Sequence, residues 1–262
     1  MQIRILPLTV LLAGLLSSTA FAAHPLITDD TGTQGKGKFQ LEVNGELSRQ
    51  KNEGDEGTTR ESAKEVSTAI TYGIIDNLDV ALGLPYQWKW ERGGETEPRT
   101  KGFADIPLQL KWRCYEKEGL SFAVKPEIDF STGDENKRLG NGRTSYSFTF
   151  ITTKEAEPWA FHLNLGYTHN VFKLQEDKEA NRQGIWHVSL ATGIEILKDL
   201  TVVADTGIEN NSDRTSNSNP VFLLGGVIYS ISKDFDVDLG VKRTFSRHVT
   251  DYSILPGLAW RF

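Results

Sequence analysis

From Leu78 to Trp90 the chain alternates without a break: Leu78, Val80, Leu82, Leu84, Tyr86, Trp88 and Trp90 are separated by Asp79, Ala81, Gly83, Pro85, Gln87 and Lys89. A period of two held this long specifies an extended strand with one greasy face; a helix would space its apolar residues three and four apart. The pattern recurs down the chain, and beyond the first residues no stretch is apolar enough to cross a bilayer as a helix. Lipid offers no water to an unpaired backbone group, so strands that span it must close into an edgeless sheet. The alternation therefore predicts an all-β fold, a closed antiparallel transmembrane β-barrel.

The first strand is expected from about Lys38 to Arg49, followed by a charged, Gly-rich loop from Gln50 to Ser62. The second and third strands meet at a tight Asp76-Asn77 turn, and a polar loop from Glu91 to Lys101 leads to the fourth. Its outward stripe is Ile106, Leu108, Leu110, Trp112 and Cys114. Further tight turns fall at 116–119, Lys198-Asp199 and Lys233-Asp234, and longer loops at Gly133 to Arg143, Lys173 to Gly184 and Asn210 to Asn219. The strand from Val221 to Ile231 is apolar on both faces, which leaves its register open. The count comes to about twelve strands in an up-and-down meander over residues 38–262. Short turns on the periplasmic side and long loops outside are the asymmetry of bacterial outer-membrane barrels.

Residues 1–22 have the parts of a secretory signal peptide: Arg4, the apolar run Leu6 to Leu16, and Ala20-Phe21-Ala22 as cleavage site. An uncleaved anchor fits less well, because that run is about half of the ~20 residues a spanning helix needs. The expected location is the bacterial outer membrane. The polar N-terminal segment 23–37 reads as a disordered periplasmic tail, and the stretch His24 to Gly37 is also long enough to fold inward as a plug. A net charge of −6 gives no basic face for nucleic acid. Cys114 stands alone, so no internal disulfide is expected. With no zinc spacing, phosphate loop or dinucleotide fingerprint, neither a metal nor a cofactor is expected.

Tryptophan position is independent of the strand boundaries and agrees with them. Trp88, Trp90 and Trp186 fall near the outer ends of their strands, Trp112, Trp159 and Trp260 near the inner ends, as interfacial girdles require. Phe262 ends the chain on the outward stripe of the last strand and resembles the C-terminal signal read by the barrel-assembly machinery. The expected partners are that machinery, outer-membrane lipid and a small solute, with the barrel a monomer.

The inward positions carry Glu42, Glu46, Asp79, Asp105, Glu127, Asp129, Glu195, Asp205, Asp236 and Asp238, with Lys89, Lys111, Arg113, Lys125, Lys242 and Arg261. Charges facing a narrow lumen should pair across strands. Twelve strands give a backbone radius of roughly 12 Å, room for a small solute. Lys89, Lys111, Arg113, Glu127, Asp129 and Asp205 are the candidates for setting selectivity. Two readings of the interior stand side by side: a salt-bridged lining that sets barrel shape, and a polar path with a mild preference for cations.

Catalysis is not expected. His162 with Asn164, and His187 with Ser189, face inward on neighbouring strands, but the two histidines should lie at opposite ends, on the order of 20 Å apart. The acidic pair Asp29-Asp30 reads as solvated.

Several segments resemble the family named for the MetA pathway of phenol degradation: 24–33 at the mature start, Gly73-Ile74-Ile75-Asp76 into Leu82-Gly83-Leu84-Pro85-Tyr86, Gly102-Phe103-Ala104-Asp105, and Ser131-Thr132-Gly133-Asp134. The resemblance implies an outer-membrane barrel that transports a small, aromatic or hydrophobic solute, and it carries over no binding residue. A non-transporting structural or surface-interaction barrel is the alternative, and predicts a sealed lumen.

Overall fold

A computed structural model describes residues 24–54, 57–91, 100–246 and 249–262. The expected signal peptide, most of the expected Glu91 to Lys101 loop, and residues 55–56 and 247–248 lie outside the described residues. The strands are β1 (Phe39–Gly54), β2 (Gly57–Ile75), β3 (Leu78–Glu91), β4 (Thr100–Phe103), β5 (Ile106–Lys117), β6 (Leu120–Phe130) and β7 (Ser145–Ala156). After them come β8 (Trp159–His169), β9 (Gly184–Leu197), β10 (Leu200–Glu209), β11 (Val221–Ser232), β12 (Phe235–Ser246) and β13 (Val249–Arg261).

Neighbours in the chain are antiparallel neighbours in the sheet, and β13 pairs back onto β1 with Leu41 opposite Trp260. The seam is a reciprocal pair: Phe39 N–H donates to Phe262 O (2.8 Å) and Phe262 N–H to Phe39 O (2.9 Å). Their rings stack at 5.6 Å. Both β4 and β5 lie along β3, with Leu82 opposite Leu108 and Tyr86 opposite Phe103. They form one wall strand interrupted at Ala104-Asp105, so the barrel has twelve.

The lipid face is what the alternation requires. Leu82, Leu84, Leu163, Leu165, Leu223, Val241 and Ile254 all point outward and are exposed. In β11 the register left open by the sequence resolves with Leu223, Val227, Tyr229 and Ile231 outward, while Leu224 and Ile228 are buried inside.

Two sequence expectations need correction. Gln50 to Ser62 is no loop: β1 and β2 continue as a ladder, Gln50 opposite Glu61 and Gly54 opposite Gly57. A strand that projects beyond the bilayer meets water on both faces, so it needs no apolar stripe and reads as a loop. The outward stripe of β5 reaches an exposed Cys114 as expected but does not end there. The register slips between Arg113 and Tyr115, and Tyr115 joins the outer face against Phe122, ring centroids 5.5 Å apart. A bulge inserts one residue and reverses the parity of those after it.

Candidate functional site

Residues 24–37 lie inside the barrel, so the expectation of a disordered periplasmic tail is overturned. The chain turns in at the periplasmic rim, where Gly37 N–H donates to Gly73 O (2.8 Å). Gly35 holds a positive φ of 85° there, and a Cβ on Gly73 would collide with its carbonyl. From that turn the segment runs along the inner wall. Gln34 N–H donates to Asp79 Oδ2 on β3 (2.9 Å), the Thr31 hydroxyl lies 2.5 Å from that of Ser121 on β6, and Thr31 N–H donates to Thr153 Oγ1 on β7 (3.1 Å).

Asp29 is the strongest anchor. Its carboxylate accepts from Lys111 Nζ (2.7 Å) and Lys125 Nζ (2.8 Å), one from β5 and one from β6. The Asn164 amide, oriented to satisfy both groups, accepts from Asp29 N–H (2.7 Å) and donates to Asp29 O (2.9 Å). Burial alone would raise the Asp29 pKa, but the two ammonium groups outweigh it and hold the carboxyl below the ordinary carboxylate range. The expectation that Asp29 is solvated is thus corrected: it is 8% exposed.

Further round, Asp205 on β10 accepts three hydrogen bonds: Ile27 N–H (2.7 Å), Thr28 N–H (2.8 Å) and the Thr28 hydroxyl (2.6 Å). Pro25 is fully buried against β11 and β12, where a Cβ on Gly226 or Gly240 would stand 2.7 or 2.6 Å from its ring. His24 Nδ1 lies 2.5 Å from Asp238 Oδ1. Small and apolar inward residues complete this level of the barrel; Ala123, Ile151, Ala191, Val203, Leu224 and Ile228 are all buried. The periplasmic half of the lumen is therefore packed like a protein core.

Above the segment, toward the long loops, the lumen holds a cavity of about 360 Å³. Ile27 forms its floor, Phe222 one side, and His187, Ser189, Glu209 and Lys242 much of the rest. Lys242 Nζ donates to Glu46 Oε1 (2.8 Å) across the lumen wall. Glu127 accepts from Gln109 Nε2 and from Ser147 Oγ (3.1 Å).

The six residues singled out from the sequence separate into four tasks. Lys111 and Asp205 hold the segment. Glu127 and Asp129 line the outer lumen, Asp129 in register between Pro107 and Ser145. Lys89 Nζ donates to Arg138 O (2.8 Å) and so ties down an outer loop. Arg113 stands at the periplasmic mouth, its Nε 3.1 Å from Glu116 Oε2. The set missed Asp29, Lys125 and Asn164. The signal available for them was the greasy inner face of β11: Leu224 and Ile228 in a polar lumen mean that something packs there.

The pairing expected across strands holds for Lys242–Glu46 and for Arg261, whose guanidinium donates to Asp236 Oδ2 (2.6 Å). Lys111 and Lys125 pair with the segment instead. Gly166 lies opposite His187, so His162 is four residues along and about 13 Å away at ~3.3 Å per residue, nearer than the sequence suggested. His162 Nδ1 lies 2.9 Å from Thr153 Oγ1, and Ser189 Oγ has no hydrogen-bond partner among the described residues. The Thr153 hydroxyl beside His162 also accepts from Thr31 N–H, and His187 forms no side-chain hydrogen bond among the described residues.

Comparisons with known proteins agree with this architecture. Residues 28–262 match the family model described as "Putative MetA-pathway of phenol degradation". No curated protein matches the sequence. Among solved structures, an outer membrane channel from Pseudomonas putida F1 superposes with a TM-score of 0.69 at 11% identity, over 89% of this chain and 98% of that one. The NanC porin gives 0.59 at 10% identity, over 83% and 98%. The translocator domain of the autotransporter NalP from Neisseria meningitidis gives 0.52 at 12%, over 88% and 91%. At such identities the likeness is one of fold.

Proposed function

Because the chain belongs to the MetA-pathway of phenol degradation family and has the closed barrel of outer-membrane channels, we propose that it conducts a small solute through a lumen closed from the periplasmic side by its own N-terminal segment. One observation carries this reading: Asp29, buried between Lys111 and Lys125, pins the segment beneath the cavity of the outer lumen. Solute enters from the long-loop side and rests above Ile27, and passage requires residues 24–37 to leave the wall. The apolar floor of Ile27 and Phe222 beside polar groups suits a small molecule with an aromatic or hydrophobic body, in keeping with the family description.

The test is conductance in planar bilayers of the wild type and of a variant lacking residues 24–37. The wild type is expected to be nearly silent and the variant open. No conductance and no solute flux from either would overturn the channel reading. It would favour the sealed structural barrel, which the full burial of Thr28 and Pro25 supports.

A further inference from the structure

The lipid face is not uniform around the barrel. Among the described side chains, four basic ones point outward at the upper aromatic girdle, and all stand on one side. Across β12, β13 and β1, Arg243, Tyr252 and Arg49 lie in one row by register. Across β1, β2, β3 and β4, Leu47, Lys64, Trp88 and Lys101 form the row beneath it. All four cations are exposed. Among the described side chains none of the four donates a hydrogen bond or forms an ion pair, and no carboxylate stands at an outward position in either row. At the corresponding outer ends of β6 to β9 and β11, the face carries Phe130, Tyr146, Tyr167, Trp186 and Val221.

Aromatic rings hold these charges in place. The Arg243 guanidinium lies 4.6 Å from the Phe245 ring and 4.8 Å from that of Tyr252, and Lys64 Nζ lies 5.4 Å from the Trp90 ring. Such stacking leaves the N–H donors free to point at a headgroup. Just below the cations the greasy wall is hollowed. Gly45 and Pro256 are in contact, a Cβ on Gly45 falling 3.1 Å from Pro256 Cγ, and they floor a groove of about 540 Å³ walled by Leu47 and Trp88. Lys64 and Lys101 stand at its edge.

We propose that this face binds a phosphorylated glycolipid of the outer leaflet, its phosphates between Arg49, Arg243, Lys64 and Lys101 and an acyl chain in the groove over Gly45 and Pro256. Within each row the two cations stand two strands apart, about 10 Å from each other, a spacing that one headgroup carrying more than one phosphate bridges. Without such a counter-anion, four like charges would repel at the low-dielectric boundary. The proposal goes beyond the channel reading and does not depend on it.

The test is native mass spectrometry of the detergent-solubilised barrel titrated with bis-phosphorylated lipid A, its dephosphorylated form and phosphatidylglycerol. Wild type is expected to retain the phosphorylated glycolipid in preference to both others. Each charge removed is worth about five-fold, so Arg49→Gln with Arg243→Gln should weaken retention about twenty-five-fold. Gly45→Leu, which fills the groove and leaves the charges, should also weaken it. Heat-resistant gel migration confirms that each variant is folded, and conductance is not part of the readout. Equal retention by the double variant, or phosphatidylglycerol bound as well as the phosphorylated glycolipid, would overturn the proposal.

Discussion

The two halves of the lumen are lined by the same strands and made by opposite physics. On the periplasmic side small and apolar inward residues sit among charges that are buried in pairs, Lys111, Lys125, Asp79, Asp205 and Asp238 with the N-terminal segment and Arg261 with Asp236 on the wall, and Thr28, Pro25 and Ile151 are fully buried. On the outer side the inward positions are charged and partly wet, pairs such as Lys242–Glu46 stay half-open, and a cavity remains. The difference teaches that period-two alternation states only which face avoids lipid. It does not state whether the other face meets water or protein.

The largest effect should come from breaking the Asp29 anchor. Asp29→Asn keeps the shape but leaves two buried ammonium groups without their carboxylate, a loss of about 3–5 kcal/mol of docking free energy. Single-channel recording should show the variant open where the wild type is closed; a variant as silent as wild type would place the barrier elsewhere.

Next is Asp205→Asn. Asp205 accepts from Ile27 and Thr28, bonds to a charged group worth about 1.5–3 kcal/mol each. Faster proteolysis of residues 24–37 from the periplasmic side of proteoliposomes would be the sign, and unchanged cleavage would contradict it. Gly240→Val drives a side chain into Pro25 and should cost about 1–3 kcal/mol by overpacking, read as lowered thermal stability that deletion of residues 24–37 relieves.

The pH response sharpens the contrast. Asp29 has a folded pKa below its ordinary value of 3.8, so its contribution is fully present above that value and is lost only as pH falls through the depressed one. Conductance should stay low from pH 7 down to about 4 and rise in stronger acid, a step that the Asp29→Asn variant lacks. An opening between pH 7 and about 5 would mean that some other group holds the segment.

The smallest effect belongs to the outer half. Lys242→Ala removes one partner of a half-open pair and should change stability by no more than about 1 kcal/mol. In a barrel opened by Asp29→Asn it should move the reversal potential toward cation selectivity. No shift would mean that the outer lumen does not set selectivity.

Particular residues show where the sequence was legible. Leu78 to Trp90 revealed strand, face and girdle at once, because strand geometry and lipid impose the same local period. Phe262 falls on the outward stripe by parity alone, and its ring stacks on Phe39 and packs on Trp260. Where one of those two constraints fell away, the reading failed. Gln50 to Ser62 is strand beyond the lipid, and Tyr115 joins the outer face beyond a bulge that parity cannot foresee, next to a Cys114 that is exposed as expected. Asp29 looked like a solvated acid because it stands in a polar stretch with no sign of a buried partner; those partners are 82 and 96 residues away.

The chain by itself determined a barrel with its greasy stripes outward, since each strand carries its own two-faced pattern and an unpaired edge is intolerable in lipid. The tertiary structure decided what fills that barrel. Thr28 and Asp205 meet across 177 residues of chain, and such a contact leaves no local period to read. It exists because closure of the wall brings buried charges from distant strands to a common interior, where the segment supplies their partners.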